Sequence, residues 1–258
     1  MKRQKNDAAD AEAICEAVTR PNMHFVEIKS SEQQAVLVLH RVRLKLMHQR
    51  IALSNSIRGH MAEYGLVAPV GHNGLQRLIA IIADHGDDRL PAMARASLIV
   101  LVSQLQLLNE QVLENDRRVR AAARSTELGR RLMEVPGVGP LLASAMVASV
   151  PDPTAFRSGR DLAAWIGLVP RQNSSGGEEK LGGITKQGDR YLRQLLVVGA
   201  LSVIRYAQQH GTKRPWLVSL LARRSPKMAA VALANKTARM IRAMMMTGER
   251  YREPVTAA

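Results

Sequence analysis

The feature that most narrows what this chain can fold into is a pair of long apolar repeats separated by a glycine-rich break. From Ser31 to Tyr64 apolar side chains recur at intervals of three, four or seven, at Leu39, Val42, Leu46, Leu53, Ile57, Met61 and Tyr64. After Pro91 the spacing returns at Leu98, Leu101, Leu105, Leu108, Val112 and Val119, close to a heptad register. Such spacing lays an apolar stripe along a helix, whereas a half-buried strand needs alternation. G-L-V-A-P-V-G-H-N-G at 65–74 ends the first run, and a shorter helix over about 75–85 leads to the second. The pattern predicts two long helices joined by a small insert. They form an antiparallel coiled-coil arm, a self-associating one, or two helices of a globular bundle.

Aromatic residues make up only 3% of the 258 positions, so any core is aliphatic. Lysine and arginine number 37 against 22 acidic residues, a net charge of +15. That surplus argues for a polyanionic partner, with nucleic acid ahead of an anionic membrane surface. The single Cys15 excludes an internal disulfide framework, fits a reducing cytosol, and is expected to fill core. No stretch is read as approaching the roughly 20 apolar residues of a membrane span, and the basic start M-K-R-Q-K-N-D lacks a following apolar segment. A cytoplasmic protein without a membrane partner is expected.

The second half carries two glycine motifs. In L-M-E-V-P-G-V-G-P-L-L-A-S-A-M-V-A (132–148), Pro136-Gly137-Val138-Gly139-Pro140 separates two apolar helical runs, the pattern of a helix-hairpin-helix. Backbone amides at Gly137 and Gly139, aligned at a helix start, can hold a phosphate without reading bases; the alternative is a plain tight turn. A short helix is expected within 156–168, with Trp165 buried. From Trp165 to Ala200 an apolar lead-in closed by Pro170 meets a Ser174-Ser175-Gly176-Gly177 turn, then a helix opening after Gly188. Arg190 and Arg193 stand three apart on one face of that helix, with Lys186 just before it. The turn is either a polar loop or a place where a serine hydroxyl meets a phosphodiester. G-T-K-R-P-W breaks the helix after His210. A last helix, roughly Pro226 to Met246, carries Lys236, Arg239 and Arg242, and its Met244-Met245-Met246 run reads as core packing. The tail beyond is expected to fray.

At the other end, K-N-D-A-A-D-A-E-A-I-C-E-A-V is a helical run with Asn6 or Asp7 as its cap. Asp7 and Asp10 project from one face, an arrangement that suits a hard divalent cation or simply complements the helix dipole. H-F-V-E-I-K at 24–29 alternates like a strand.

Taken together, G-L-V-P-R-Q-N-S-S-G-G, G-G-I-T-K-Q-G-D-R-Y-L-R, P-G-V-G-P and K-N-D-A-A-D-A resemble the DEDD-type insertion-sequence transposases, the family of the Piv DNA invertase and the bridge-RNA-guided recombinases. The resemblance covers most of the chain. It implies a mainly α fold: a remnant of a RuvC-like α/β domain over 1–30, a coiled-coil arm over 31–128, an all-α C-terminal transposase domain with a helix-hairpin-helix over 129–250, and a frayed tail over 251–258. D-A-A-D-A resembles the last two carboxylates of the family's four-acid site, which makes Asp7 and Asp10 metal ligands, for Mg2+ first. The family's other two acids lie upstream of this motif, so the resemblance implies an N-terminally truncated chain with half a metal site, inactive alone.

The same resemblance makes Ser175 the nucleophile, with Ser174 as alternative, and Lys186, Arg190 and Arg193 its basic neighbours. It implies DNA as substrate, at insertion-sequence ends and target, a structured guide RNA, and a homo-oligomer, dimer or tetramer. The competing expectation is a non-catalytic nucleic-acid-binding and oligomerisation module.

Overall fold

The computed structural model describes residues 6–21, 23, 25, 27–174, 178, 180–211 and 214–253. It is mainly helical. Helix α1 spans Asp7–Thr19 and is capped by Asn6, whose side chain accepts from the Ala9 amide at 2.7 Å. Among the described residues α1 packs on no other element, and its Ile14 and Val18 are exposed. Cys15, expected in a core, is exposed on this same helix, because no other element among the described residues packs on α1 to bury it. The stretch 24–29 forms no strand among its described residues, Phe25 and Glu27 to Lys29; His24 and Val26 lie outside them. An extended segment needs a ladder partner, and the described sheet has only two strands, both from elsewhere.

The long apolar repeats fold as α2, Ser31–Glu63, and α4, Ala92–Ser125, with α3, His72–Ala83, between them. A reciprocal capping box between Ser30 and Gln33 starts α2. Arg43 near the start of α2 pairs with Asp116 near the end of α4, while Ile57 and Met61 share a core with Leu98 and Val102 at the opposite end. The two helices therefore run antiparallel. Leu98, Leu105, Val112 and Val119 are buried in this seam, so the heptad leucines serve packing within one chain. The buried Arg95 donates to the carbonyls of Ile81 (2.6 Å) and Ile82 (3.0 Å), satisfying the C-terminal end of α3.

A second stripe, Met93, Val100 and Leu107, recurs every seven residues on α4 and stays exposed. By length and composition α4 is apolar enough to cross a membrane, contrary to the sequence reading; it is the helix packed along α2 and α3.

The larger core belongs to the second half. It is built by α5 (Glu127–Leu132), α6 (Pro140–Ser149), α7 (Gly159–Trp165), α8 (Arg190–His210), α9 (Pro215–Arg223) and α10 (Pro226–Thr247). α8 and α10 lie along each other through Leu192, Leu196, Ala230, Ala234 and Ile241, small and aliphatic side chains that let the helix axes approach. α6 is the joint, touching α2, α4, α5 and α8. Trp165 is half-buried, edge-on to Phe156 at 5.4 Å between ring centres. α9 follows directly on the break after His210, started by Pro215. Past Gly248, Tyr251 packs on the core and Arg214 donates to its hydroxyl at 3.1 Å, while residues 254–258 of the tail expected to fray lie outside the described residues.

A serine hairpin and the glycines that place it

Between α7 and α8 the chain makes a two-stranded antiparallel hairpin, β1 (Pro170–Gln172) and β2 (Leu181–Ile184), where an all-α arrangement was expected. The strands pair Pro170 with Ile184 and Gln172 with Leu181, and no helix packs along them. Both strands are largely exposed, so alternation has no buried face to mark, which is why the sequence showed no strand pattern. At the tip Ser174 is exposed, and its Oγ accepts from the Lys180 amide at 3.3 Å, while the Asn173 amide donates to the Lys180 carbonyl at 2.8 Å. Ser175, Gly176 and Gly177 lie outside the described residues.

Two glycines hold the base of the hairpin against the helices. Gly188 has φ +80°, and a Cβ there would stand 1.7 Å from the Trp165 carbonyl oxygen; one on Gly167, also at φ +80°, would stand 2.0 Å from that of Gln187. Only a residue without a side chain fits either place. The Lys186 amide donates to the Gly167 carbonyl at 3.2 Å, and Lys186 itself takes φ 57°, the one non-glycine residue with positive φ among the described residues. Arg193 closes this corner: its Nη1 donates to the carbonyls of Ile166 (2.7 Å) and Gln187 (3.1 Å). Its guanidinium is thus a brace for the loop that carries the hairpin. Arg190 and Lys186 are exposed. Asp189 caps α8, accepting from the Leu192 amide at 2.9 Å.

The Pro136–Pro140 turn has a packing role that the sequence did not show. Gly137, at φ +87°, lies against α8, where a Cβ on Gly199 would come within 2.0 Å of the Gly137 carbonyl oxygen. Gly139 is exposed with open space around it and starts α6 without a side-chain cap. Of the two, Gly139 is the one at an accessible helix start.

Asp7 and Asp10 are exposed in the first turn of α1, which among the described residues packs on neither hairpin strand nor any other element. They offer the oxygen donors a hard cation takes. No third His, Cys, Asp or Glu joins them among the described residues, so these two do not make a metal site by themselves.

Comparison with known proteins bears on the whole chain. Residues 129–214 match the family model described as "Transposase IS116/IS110/IS902 family", and residues 1–66 match a DEDD-type IS110 transposase model. A "Probable family 20 transposase" of Pseudomonas aeruginosa is 44% identical over 254 residues, 98% of this chain and 75% of that protein. This chain belongs to the IS110/IS116 transposase family. A "Putative transposase y4pF/y4sB" of Sinorhizobium fredii is 44% identical over 98% of the chain and 65% of its own length. The "Transposase for insertion sequence element IS1111A" of Coxiella burnetii is 41% identical over 98% and 70%. The chain thus spans between 65% and 75% of these transposases.

Proposed function

We propose that this transposase chain acts in DNA strand exchange at an insertion sequence, with the hairpin at 170–184 presenting a serine to a phosphodiester. The observation that carries the reading is an exposed Ser174 at the tip of a hairpin whose base is locked by Gly167, Gly188 and Arg193. A loop that only connected α7 to α8 would need no such bracing. In the proposed step the hydroxyl of Ser175, or of Ser174, loses its proton and forms a bond to phosphorus. The bond from phosphorus to the sugar oxygen breaks, and that oxygen takes up a proton, leaving a phosphoserine link that conserves the energy of the diester. Lys186 and Arg190, exposed beside the hairpin, supply positive charge toward the non-bridging oxygens. Arg193 is assigned to positioning.

Asp7 and Asp10 are proposed as part of a cation site, with Mg2+ as the first ion to test and further carboxylates needed to complete it. The chain by itself is accordingly expected to bind DNA and leave it uncut. A structured guide RNA belongs to the same reading. So does self-association through the outer stripe of α4, Met93, Val100 and Leu107, which lacks a partner within the described chain.

The test is a denaturing gel of labelled DNA carrying insertion-sequence ends. The 258-residue chain should give a salt-sensitive complex and no covalent adduct. In the longer Pseudomonas relative, an adduct should form with Mg2+ and guide RNA, and alanine at the serine aligned with Ser175 should remove it. An adduct that survives alanine at both aligned serine positions overturns the serine mechanism. The second reading, a binding and assembly module without chemistry, is favoured by the two-carboxylate set at Asp7 and Asp10. It prevails if the longer protein binds the same DNA and never forms an adduct.

A further inference from the structure

At the foot of the serine hairpin lies an open cleft of about 820 Å³ that the reaction above does not use. Pro170 and Ile184, the pair that closes the hairpin ladder, form one side, and α10 forms the other with Asn235, Lys236 and Arg239. Trp216, at the start of α9, stands at the end and is 40% exposed. Its size falls within the roughly 300–1,000 Å³ of clefts that hold small ligands.

The chemistry of the walls is specific. The Lys236 ammonium stands 4.5 Å from the centre of the Trp216 ring, and no carboxylate pairs with Lys236 or Arg239 among the described residues. Two cations without internal anions, in a chain of net charge +15, are placed to meet an external one. Asn235 is held by its Nδ2, which donates to the Leu168 carbonyl at 3.2 Å. That bond turns its amide oxygen into a fixed acceptor, suited to an amino or imino N–H of a nucleobase. The cation lies over one face of the indole, so a base stacks on the part of the ring left exposed while the cation takes the neighbouring phosphate.

We infer that this cleft binds an unpaired nucleotide of single-stranded DNA, its base against Trp216 and its phosphates at Lys236 and Arg239. A paired base has both faces covered by its neighbours in the duplex and cannot stack on a protein ring, so the occupant is a single strand. The inference rests on the DNA reading above and not on the serine reaction. It places a melted nucleotide at the base of the hairpin whose tip bears Ser174.

The chain has two tryptophans, so Trp165→Phe leaves Trp216 as the only indole reporter. Phenylalanine keeps an apolar ring against Phe156. The probe is an oligothymidylate of about ten nucleotides, within the range that one single-strand site covers. It is titrated while indole emission and the anisotropy of an end-labelled copy are both followed. Quenching of Trp216 is expected, with weaker quenching by a duplex of equal length. Lys236→Gln with Arg239→Gln should weaken single-strand binding about tenfold, as should Trp216→Ala. If Trp165→Phe does not fold, the difference between the unmodified chain and Trp216→Phe reports the same signal. Anisotropy that shows binding while Trp216 stays silent and the α10 variants bind normally overturns the cleft and leaves the DNA reading standing. Tighter binding of oligouridylate than of oligothymidylate overturns DNA as the occupant. Binding of neither single strand nor duplex overturns both the cleft and the DNA reading.

Discussion

Nε2 of His40, on α2, lies 3.0 Å from the Oγ of Ser144, on α6. The Ser144 hydroxyl spends its only proton on the Pro140 carbonyl at 2.7 Å, so it must accept from His40. His40 therefore carries its proton on Nε2, and its bare Nδ1 accepts from the Tyr191 hydroxyl at 2.9 Å. One buried neutral imidazole thus ties the arm to α6 and to α8, the helix that opens beside the serine hairpin.

This histidine makes stability depend on pH. Burial, with Arg43 adding to it, lowers its pKa from 6.5 to about 4. Below pH 6.5 the unfolded chain binds a proton that the folded chain refuses, so stability falls as pH drops from about 6.5 to about 4. The fall from this group is on the order of 3 kcal/mol. Chemical denaturation at a series of pH values should show it, and His40→Gln should flatten the profile over that window.

The close approach of Gly137 to Gly199 predicts a large cost for a small change. Gly199→Ala places a methyl 2.0 Å from the Gly137 carbonyl oxygen, where only backbone can move aside. A loss of about 2–3 kcal/mol is expected despite alanine's better helix propensity. Thermal unfolding measures it, and an unchanged midpoint would contradict the packing.

On α4 two stripes should respond differently. Leu105 is buried against α2, so Leu105→Asp should unfold the arm, visible as lost helical circular dichroism. Leu107 is exposed, and Leu107→Asp should keep the helical signal while lowering the mass seen by light scattering. A Leu107→Asp protein of unchanged mass would remove the proposed contact.

Net charge of +15 predicts that affinity for duplex DNA falls steeply with salt, because each phosphate contact releases a counterion. Between roughly 50 and 200 mM salt a loss of at least tenfold is expected in fluorescence anisotropy. A flat response would set aside the electrostatic reading.

The sequence by itself determined the long helices, because apolar side chains at Ile57, Met61, Leu98 and Leu105 have one arrangement that buries them all together. It also placed the glycine turns and the Ser174 loop, since local backbone chemistry dictates these. Only the tertiary structure decided what those features face. Residues 170–172 and 181–184 pair as exposed strands whose ladder leaves no hydrophobic signature, and Cys15 sits exposed on a helix that packs on no other element among the described residues. Arg193 looked like a phosphate ligand from its spacing to Arg190. Its Nη1 goes to Ile166 and Gln187, carbonyls left free where α7 ends and where the loop before α8 turns back. Trp216 and Lys236 are 20 positions apart, and the contact between them exists only because α9 folds back on α10. Helical period is a property of neighbours along the chain, whereas a hydrogen bond or a cleft wall depends on which distant backbone arrives beside it.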